Sequence, residues 1–268
     1  MNPRLYDAHN HLQDARLGPD RDALVAVASL AGVTRMVVNG SCEEDWPAVL
    51  ELARRHPCVL PSFGYHPWYV RERTPRWREE LVRFLDTVPS VVGEIGLDRW
   101  IENPDLAAQE ETFVWQLRLA AERDLPASIH CLKAWGRLHE LLLASLRPAR
   151  GFLLHSYGGP REMIEPLARL GAYFSFPGYF AHARKEGQRE VFRHVPPDRL
   201  LIETDAPDQL LPDEINRHPL SDAATGKPVN HPANLAAVYE FAAGFFGEPV
   251  EYLASRVEEN FARLFGSR

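Results

Sequence analysis

The sequence predicts an α/β fold, a single (β/α)8 barrel of the TIM type. Eight short apolar segments rich in β-branched residues alternate with longer segments of helical periodicity. The short segments are apolar on both faces, as expected for parallel strands covered by helices. An open doubly wound sheet is the alternative, but no glycine-rich phosphate-binding loop follows the first strand. No linker-like stretch interrupts residues 1–268, so we expect one domain.

Each strand is predicted from a short apolar run that leads into polar residues or glycine. Such runs, exemplified by "SVVGEIG", are typical of strands buried in a parallel sheet. The predicted strands are 4–9, 35–40, 58–64, 90–96, 127–131, 151–156, 172–176 and 199–205.

The helices are predicted from their periodicity and from their end signals. The segment 20–32 ends on Gly32, and glycine favours helix C-termini. The segment 43–56 begins with acidic residues and ends with basic ones, as the helix dipole favours. The other expected helices are 77–88, 106–124, 135–146, 161–171, about 232–247 and 249–265.

Composition and charge limit the class of protein. The chain is 45% hydrophobic and 25% charged, which is ordinary for a globular domain, and its net charge of −7 argues against a broad polyanion-binding surface. Three scattered cysteines, without a CxxC pair, are typical of a reducing compartment. The sequence has no signal-peptide pattern and no membrane-length apolar run, so we expect a cytoplasmic protein that needs neither a membrane nor a protein partner.

The stretch "YDAHNHLQD" near the start of the chain suggests a metal site. Asp7, His9 and His11 alternate, and side chains two apart on a strand point to the same side. Two imidazoles and a carboxylate directed into one space suit a divalent metal. The sequence therefore predicts that all three side chains share a site, with an ordinary polar strand end as the alternative.

Residues that can bind metal also follow most of the other predicted strands. Because active sites of this barrel lie at the C-terminal ends of the strands, these side chains are expected to meet. The second and seventh strands end without an obvious ligand. The candidates are His9, His11, His66, Glu94, His130, His155, Glu203 and Asp205, which include five of the 11 histidines. So many imidazoles favour a borderline metal such as zinc, manganese, iron or cobalt.

Several motifs resemble the TatD family of metal-dependent hydrolases, a branch of the amidohydrolase superfamily. "DAHNHL" resembles the DxHxH motif of the family, "FGYHP" its GxHP, and "VVGEIGLD" its GEIGLD almost letter for letter. "QEETFVWQLRLA", "LIETDAP", "VNHPANLAAV" and "NFARLF" resemble later segments, so the resemblance covers nearly the whole chain. It implies a TIM-like barrel with two divalent metals that hydrolyses phosphodiesters, and many members of the family are DNases.

The resemblance also implies a role for each candidate ligand. His9 and His11 would bind the first metal, and His130 and His155 the second. Glu94 would bridge both metals. Asp205 would bind the first metal and take the proton of the attacking water, so Glu94 and Asp205 are the predicted catalytic residues. The family implies magnesium or zinc, and the expected cofactor is two ions of zinc, magnesium or manganese.

The expected mechanism follows from a two-metal centre. Two ions about 3.5–4 Å apart share a hydroxide and stabilise an anionic transition state. Asp205 can move the proton to the leaving group, although a helix N-cap is the alternative role for an aspartate before "APDQ". The predicted substrate contacts in the loops are His66, Asp98, Lys133 and Tyr157. Aromatic loop residues, Trp68, Trp100 and Trp135 among them, can stack on bases or cover the barrel rim.

The sequence departs from the family at cationic positions. Leu132 stands where the family usually has arginine, with Lys133 next to it, and Val229 and His231 replace a basic and an acidic residue. The expected substrate is thus a phosphodiester, such as a DNA end, or another small ester. A hydrolase of small esters, amides or lactones on the same scaffold is the alternative, and a catalytically idle metal-binding protein is a third.

Overall fold

The computed structural model describes residues 3–266 and confirms the predicted barrel fold. Eight parallel strands form one sheet in the order β1 to β8 along the chain. The predicted domain, 1–268, includes two residues at each end that lie outside the described part. The strands are β1 Leu5–Asn10, β2 Val33–Asn39, β3 Val59–Phe63, β4 Val91–Asp98, β5 Ala127–Leu132, β6 Phe152–Leu154, β7 Ala172–Pro177 and β8 Leu200–Glu203.

The last strand returns to the first at the C-terminal end of the sheet. The backbone N–H of Asp205 donates to the carbonyl of His9 at 3.0 Å, and that of His11 donates to Ala206 at 2.7 Å. These bonds bring two predicted metal ligands, His9 in β1 and His11 directly after it, next to Asp205, which follows β8. Residues at opposite ends of the sequence thereby share one site.

The helices cover the outside of the sheet with their apolar sides. In α9, for example, Leu253, Val257 and Leu264 are buried on one side of the helix. The helices are α1 Arg21–Leu30, α2 Trp46–Arg55, α3 Trp77–Leu85, α4 Leu106–Glu122, α5 Trp135–Ala144, α6 Ile164–Arg169, α7 Glu186–Val191, α8 Leu235–Phe246 and α9 Val250–Phe265. Among residues 3–266, no helix combines the length and apolarity needed to cross a membrane.

The structure contains two features that the sequence patterns did not predict. The short helix α7 lies between β7 and β8, and its single turn and a half, with Gly187 inside, is too short for a clear periodicity. A two-stranded hairpin, β9 Leu220–Ser221 with β10 Pro228–Val229, follows β8.

Strands β6 and β8 end earlier than predicted, so His155 and Asp205 follow their strands. The left-handed backbone of Ser156 (φ 44°) and of Asp205 (φ 52°) turns the chain away from the extended conformation there. Both side chains are consequently presented from turns at the barrel mouth.

Gly96 explains part of the "GEIGLD" motif. Its φ of 150° favours glycine, and a Cβ atom there would lie 2.0 Å from the carbonyl oxygen of His130. The missing side chain allows β4 and β5 to approach, with Gly96 paired to His130 in the register of the two strands. This contact sets His130 beside Glu94.

Candidate metal centre

The structure brings all six predicted metal ligands together around Glu94, which lies within β4. Its carboxylate is buried and is surrounded by five imidazole rings. These six candidate ligands lie in, or shortly after, β1, β4, β5, β6 and β8. The parallel strands therefore converge as predicted from the positions of their ends.

One oxygen of Glu94 faces the residues at the end of β1. Oε2 lies 3.3 Å from Nε2 of His9 and 3.2 Å from Nε2 of His11. Oδ1 of Asp205 lies 3.7 Å from each of these two nitrogens. His9, His11 and Asp205 thus form one group with ligand atoms within 4.8 Å of one another.

The other oxygen of Glu94 faces a second set of imidazoles. Oε1 lies 2.9 Å from Nε2 of His155, 3.1 Å from Nδ1 of His130 and 3.3 Å from Nε2 of His66. The two oxygens of one carboxylate are therefore divided between two groups of nitrogen atoms. That is the arrangement expected of a bridging ligand.

In each ring, the partner of the nitrogen that faces away from Glu94 shows whether the nitrogen that faces Glu94 has a lone pair for a cation. Nδ1 of His11 lies 2.8 Å from the carbonyl oxygen of Asn39, which only accepts, so a neutral His11 carries its proton there and has a lone pair at Nε2. Nε2 of His130 lies 3.1 Å from the carboxylate of Asp98, which leaves the lone pair at Nδ1. Both lone pairs point to Glu94.

His9 and His155 stack on each other with their ring centroids 4.0 Å apart. Nδ1 of His9 lies 3.0 Å from Oγ of Ser128 and 3.1 Å from Nδ2 of Asn39, and these two contacts direct Nε2 of His9 towards Glu94. Nδ1 of His155 lies 3.8 Å from Oε1 of Glu203. Nε2 of His155 faces Oε1 of Glu94 at 2.9 Å.

His66 has the opposite arrangement. The backbone N–H of Trp68 donates to Nδ1 of His66 at 3.2 Å, so a neutral His66 must carry its proton at Nε2. Burial lowers the pKa of His66 to about 4, which keeps it neutral at pH 7. Nε2–H then points to Oε1 of Glu94 as a donor and has no lone pair for a metal.

The charges and lone pairs at this centre fit a divalent cation. Burial raises the pKa of Glu94, but the imidazoles of His66, His155 and His9 outweigh it and hold the pKa well below its usual range. Burial lowers the pKa of His11, but the carboxylates Glu94 and Asp205 outweigh it and raise the pKa to about 9. Without a cation, protons must therefore lie between the carboxylate oxygens and the imidazole nitrogens that face each other. A bound cation would displace these protons.

Asp205 is buried and held on one side only. Burial raises its pKa to about 7, and Oδ2 accepts a hydrogen bond from Nε2 of Gln209 at 2.8 Å. Oδ1 faces His9 and His11. Within the described chain a turn follows Asp205 and the next regular element is β9, so the alternative role as a helix N-cap is wrong.

Asp7 does not share the site, which corrects the expectation from alternation. Its carboxylate accepts from Thr204 N–H at 2.9 Å, Thr204 Oγ1 at 2.6 Å, Asn10 Nδ2 at 3.1 Å and His9 N–H at 3.3 Å. Four donors use the lone pairs of both oxygens, so none is left for a cation. Asp7 instead ties the end of β8 to β1.

Two of the four predicted substrate contacts are contradicted by their burial. Tyr157 is fully enclosed, packs on Trp135 and donates its hydroxyl to the carbonyl of Pro160 at 2.8 Å. Asp98 is also buried, and its two oxygens accept from His130, from the indole of Trp68 at 2.7 Å and from backbone N–H groups. Neither side chain can reach a substrate.

The other two predicted substrate contacts face the centre or the mouth. His66 directs Nε2 towards Glu94, as described above. Lys133 is exposed in the loop after β5, with Nζ 4.9 Å from the ring centroid of Trp100. These two residues stay candidates for substrate binding.

Sequence reasoning missed the side chains that orient the ligands. Asn39 and Ser175 lie in β2 and β7, the two strands that seemed to end without a ligand, and their polar character was the available signal. Glu203 received no role, although it alternates with Asp205; it accepts from Ser156 and Ser175 and belongs to a group with His9 and His155 that could hold a metal. No sequence pattern pointed to Gln209, which contacts Asp205 only in the folded chain.

Fold and site together define the class of the protein: a barrel hydrolase with a buried centre of imidazoles and carboxylates that can bind metal. The particular family follows from a family model described as "TatD related DNase", which matches residues 6–266. The chain belongs to the TatD-related DNase family, and the resemblance seen in the motifs is confirmed.

Named relatives and solved structures agree with this assignment. The chain is 34% identical over 267 residues to the 3′-5′ ssDNA/RNA exonuclease TatD of Enterobacter lignolyticus, with 98% of this chain and 99% of that protein covered. YJJV, a TatD homolog from Escherichia coli K12, superposes with a TM-score of 0.89 at 28% identity over all of both chains. A TatD-family hydrolase from Entamoeba histolytica, at 18% identity and a TM-score of 0.84 over all of both chains, shows the same fold.

Proposed function

We propose that this protein is a divalent-metal-dependent phosphodiesterase that removes nucleotides from the ends of single-stranded nucleic acid. The main support is the carboxylate of Glu94, whose two oxygens face two groups of imidazoles in the manner of a two-metal centre. The name of the Enterobacter relative describes an exonuclease for single-stranded DNA and RNA. The alternative of a hydrolase for small esters, amides or lactones is not favoured by the family.

The residues would divide between two ions of zinc, magnesium or manganese. One ion would take His9, His11, Asp205 and Oε2 of Glu94. The other would take His130, His155 and Oε1 of Glu94. When bound, such ions supply Lewis acidity that lowers the pKa of water and offsets the charge of a phosphate.

The protein groups around the ions have three tasks. Asp205 is buried with Oδ1 facing His9 and His11, so its carboxylate is placed to accept a proton from water at the centre and return it to the leaving oxygen. His66 donates Nε2–H towards Oε1 of Glu94 and so helps to orient the carboxylate between the two groups of imidazoles. The strand ends hold both groups in place before substrate arrives, which reduces the entropy lost on reaching the transition state.

Metal content and cleavage of defined substrates test this proposal. The purified protein is stripped with a chelator and reloaded with zinc, magnesium or manganese, and elemental analysis should give about two ions per chain. The loaded protein should shorten a 5′-labelled single strand stepwise and should act more slowly on a neutral ester. One ion or fewer at saturation would overturn the two-metal centre, and a preference for the ester would overturn the phosphodiesterase.

The compartment stays a prediction. Cys42, Cys58 and Cys131 are free thiols, which supports the expected cytoplasmic location because such thiols persist in reducing compartments. Fractionation of the host cells, with the protein traced by an antibody, would test it.

A further inference from the structure

Two tryptophans are exposed at the mouth of the barrel, next to the metal centre. Trp68 follows β3 and is 53% exposed, and Trp100 follows β4 and is 66% exposed. Within residues 3–266 the other large apolar side chains that are more than half exposed are Leu30, Leu143, Leu146 and Tyr252, which lie in or next to α1, α5 and α9. An indole ring is the largest apolar group that a chain can leave in water, so two of them at one opening call for a physical reason.

Both tryptophans are held by the same buried carboxylate. Oδ2 of Asp98 accepts from the indole N–H of Trp68 at 2.7 Å, and Oδ1 accepts from the backbone N–H of Trp100 at 2.6 Å. Oδ2 also lies 3.1 Å from Nε2 of His130, a candidate metal ligand. The position of the tryptophans is therefore tied to the position of the centre.

Trp68 contacts the centre directly. Its ring centroid lies 5.1 Å from that of His66 and 6.4 Å from that of His130, in edge-to-face geometry. With its N–H bonded and its edge packed, the indole has a fixed plane while half of its surface stays in water. A fixed, open aromatic face suits stacking, because the binding partner pays little to order it.

A cation completes the group. Nζ of Lys133 lies 4.9 Å from the ring centroid of Trp100, and the backbone of Lys133 is left-handed (φ 52°), which is uncommon outside glycine. Aromatic faces interleaved with cations are the usual means of binding single-stranded nucleic acid, since each base offers a π-face and each phosphate a charge. A duplex end keeps its bases stacked on each other and cannot use such faces.

We propose that Trp68 and Trp100 form a stacking platform for unpaired bases next to the cleaved end, and that Lys133 binds the adjoining phosphate. This inference rests on the proposed function, and it names the part of the substrate that the loops recognise. Because Trp68 lies beside His66 and His130, a base stacked on Trp68 would have its phosphate close to the metal centre. The platform should therefore favour single strands over duplexes without reading their sequence.

The test separates bases from phosphates. The substrates are a single strand of about ten nucleotides, within the usual site size, and the same strand with abasic residues at its 3′ end, which keeps every phosphate. Trp100→Ala should lower kcat/KM for the normal strand about 5- to 150-fold, the factor that corresponds to one base–aromatic stack of about 1–3 kcal/mol, and should leave the abasic strand nearly unchanged. Trp100→Phe should restore most of the loss.

Two control variants make the comparison specific. Lys133→Ala should lower kcat/KM for both strands by a similar factor, because both keep the phosphate. Tyr252→Ala removes a ring that is 65% exposed on α9, away from the platform, and should change neither. Equal losses on both strands for Trp100→Ala, or no loss on either, would overturn the platform and leave a structural role or another partner such as a protein.

Failure of the proposed function can be told apart from failure of the platform. If the loaded wild-type protein cleaves neither strand, the phosphodiesterase proposal fails. Fluorescence anisotropy of the two labelled strands with wild type and Trp100→Ala then decides the platform by itself. Tighter binding of the normal strand that is lost in the variant supports it, and equal binding of both strands overturns it.

Discussion

Replacement of Asp205 by asparagine should separate the activity of this protein from its stability. Asp205 directs Oδ1 towards His9 and His11 at 3.7 Å and accepts from Gln209 through Oδ2. Asparagine has the same shape and tolerates the left-handed backbone (φ 52°) of this position. It differs in two ways, because it cannot take a proton and because it is a weaker ligand for a cation.

The expected effect on stability is small. The amide oxygen of asparagine can take the place of Oδ2 and accept from Nε2 of Gln209, which also donates to Oγ of Ser156, so both hydrogen bonds of Gln209 are kept. The cost should stay within about 1 kcal/mol, the value of one hydrogen bond. For a chain of this size that changes the melting temperature by about 2–4 °C.

The stability difference between the wild type and Asp205→Asn should also depend on pH. Burial raises the pKa of Asp205 from 3.8 to about 7, so the folded metal-free protein binds this proton more tightly than the unfolded chain does. Its contribution to stability is present below about pH 4 and is lost as the pH rises towards about 7. Without metal, Asp205→Asn should therefore gain stability relative to wild type as the pH rises through this range.

The expected effect on activity is large. Loss of a general acid–base group lowers turnover about 10²- to 10⁴-fold, which corresponds to about 2.7–5.5 kcal/mol in the barrier. The assay measures the melting temperature, the metal content and kcat for a single-stranded substrate on one preparation. Asp208→Asn is the matched control, because Asp208 is an exposed aspartate nearby that pairs with Arg16 at 2.7 Å. An Asp205→Asn protein that melts normally, holds its metal and keeps most of its activity would remove Asp205 from the mechanism.

Further predictions concern the groups that support the centre. Asp7→Asn should lower the free energy of unfolding by about 1–3 kcal/mol, because one of the oxygens that accept four donors becomes a donor itself; urea titration measures this, and a lower metal content in the folded variant would contradict the purely structural role. Asp98→Asn should weaken metal binding about 10- to 100-fold, because Nε2–H of His130 loses a charged acceptor; calorimetric titration should show it, and unchanged affinity would refute it. Metal affinity should rise from about pH 6 to about pH 8, because Asp205 (pKa about 7) and His11 (pKa about 9) must release protons to bind a cation; chelator competition at both pH values checks the direction.

Much of the site could be predicted from the sequence because a parallel barrel collects the ends of its strands on one face. The positions of His9, Glu94 and His130 depend on local strand patterns that are visible in the sequence. Once the strands are placed, their C-terminal residues have to converge. For the same reason the fold was predictable, whereas α7, with six residues, was not.

The wrong predictions concern side chains that could contact more than one set of neighbouring residues. Asp7 alternates with His9 and His11, but the hydroxyl and N–H of Thr204, which is distant in sequence, offered its carboxylate better partners. Tyr157 follows β6 close to the candidate ligand His155, yet its ring is buried against Trp135. The position of a residue along a strand does not determine which of the available neighbours its side chain contacts.

By itself the sequence determined the class of fold, the family and the residues that could serve as ligands, because strand periodicity and motifs are local properties. The tertiary structure alone decided how those ligands are divided and which can bind a cation. The backbone N–H of Trp68 donates to Nδ1 of His66, so the proton of His66 lies on Nε2. The carboxylate of Asp98 holds the proton of His130 on Nε2, which leaves the lone pair on Nδ1. The two oxygens of Glu94 serve separate groups because five strands converge on them. Hydrogen-bond direction and carboxylate orientation depend on neighbours that only the folded chain brings together.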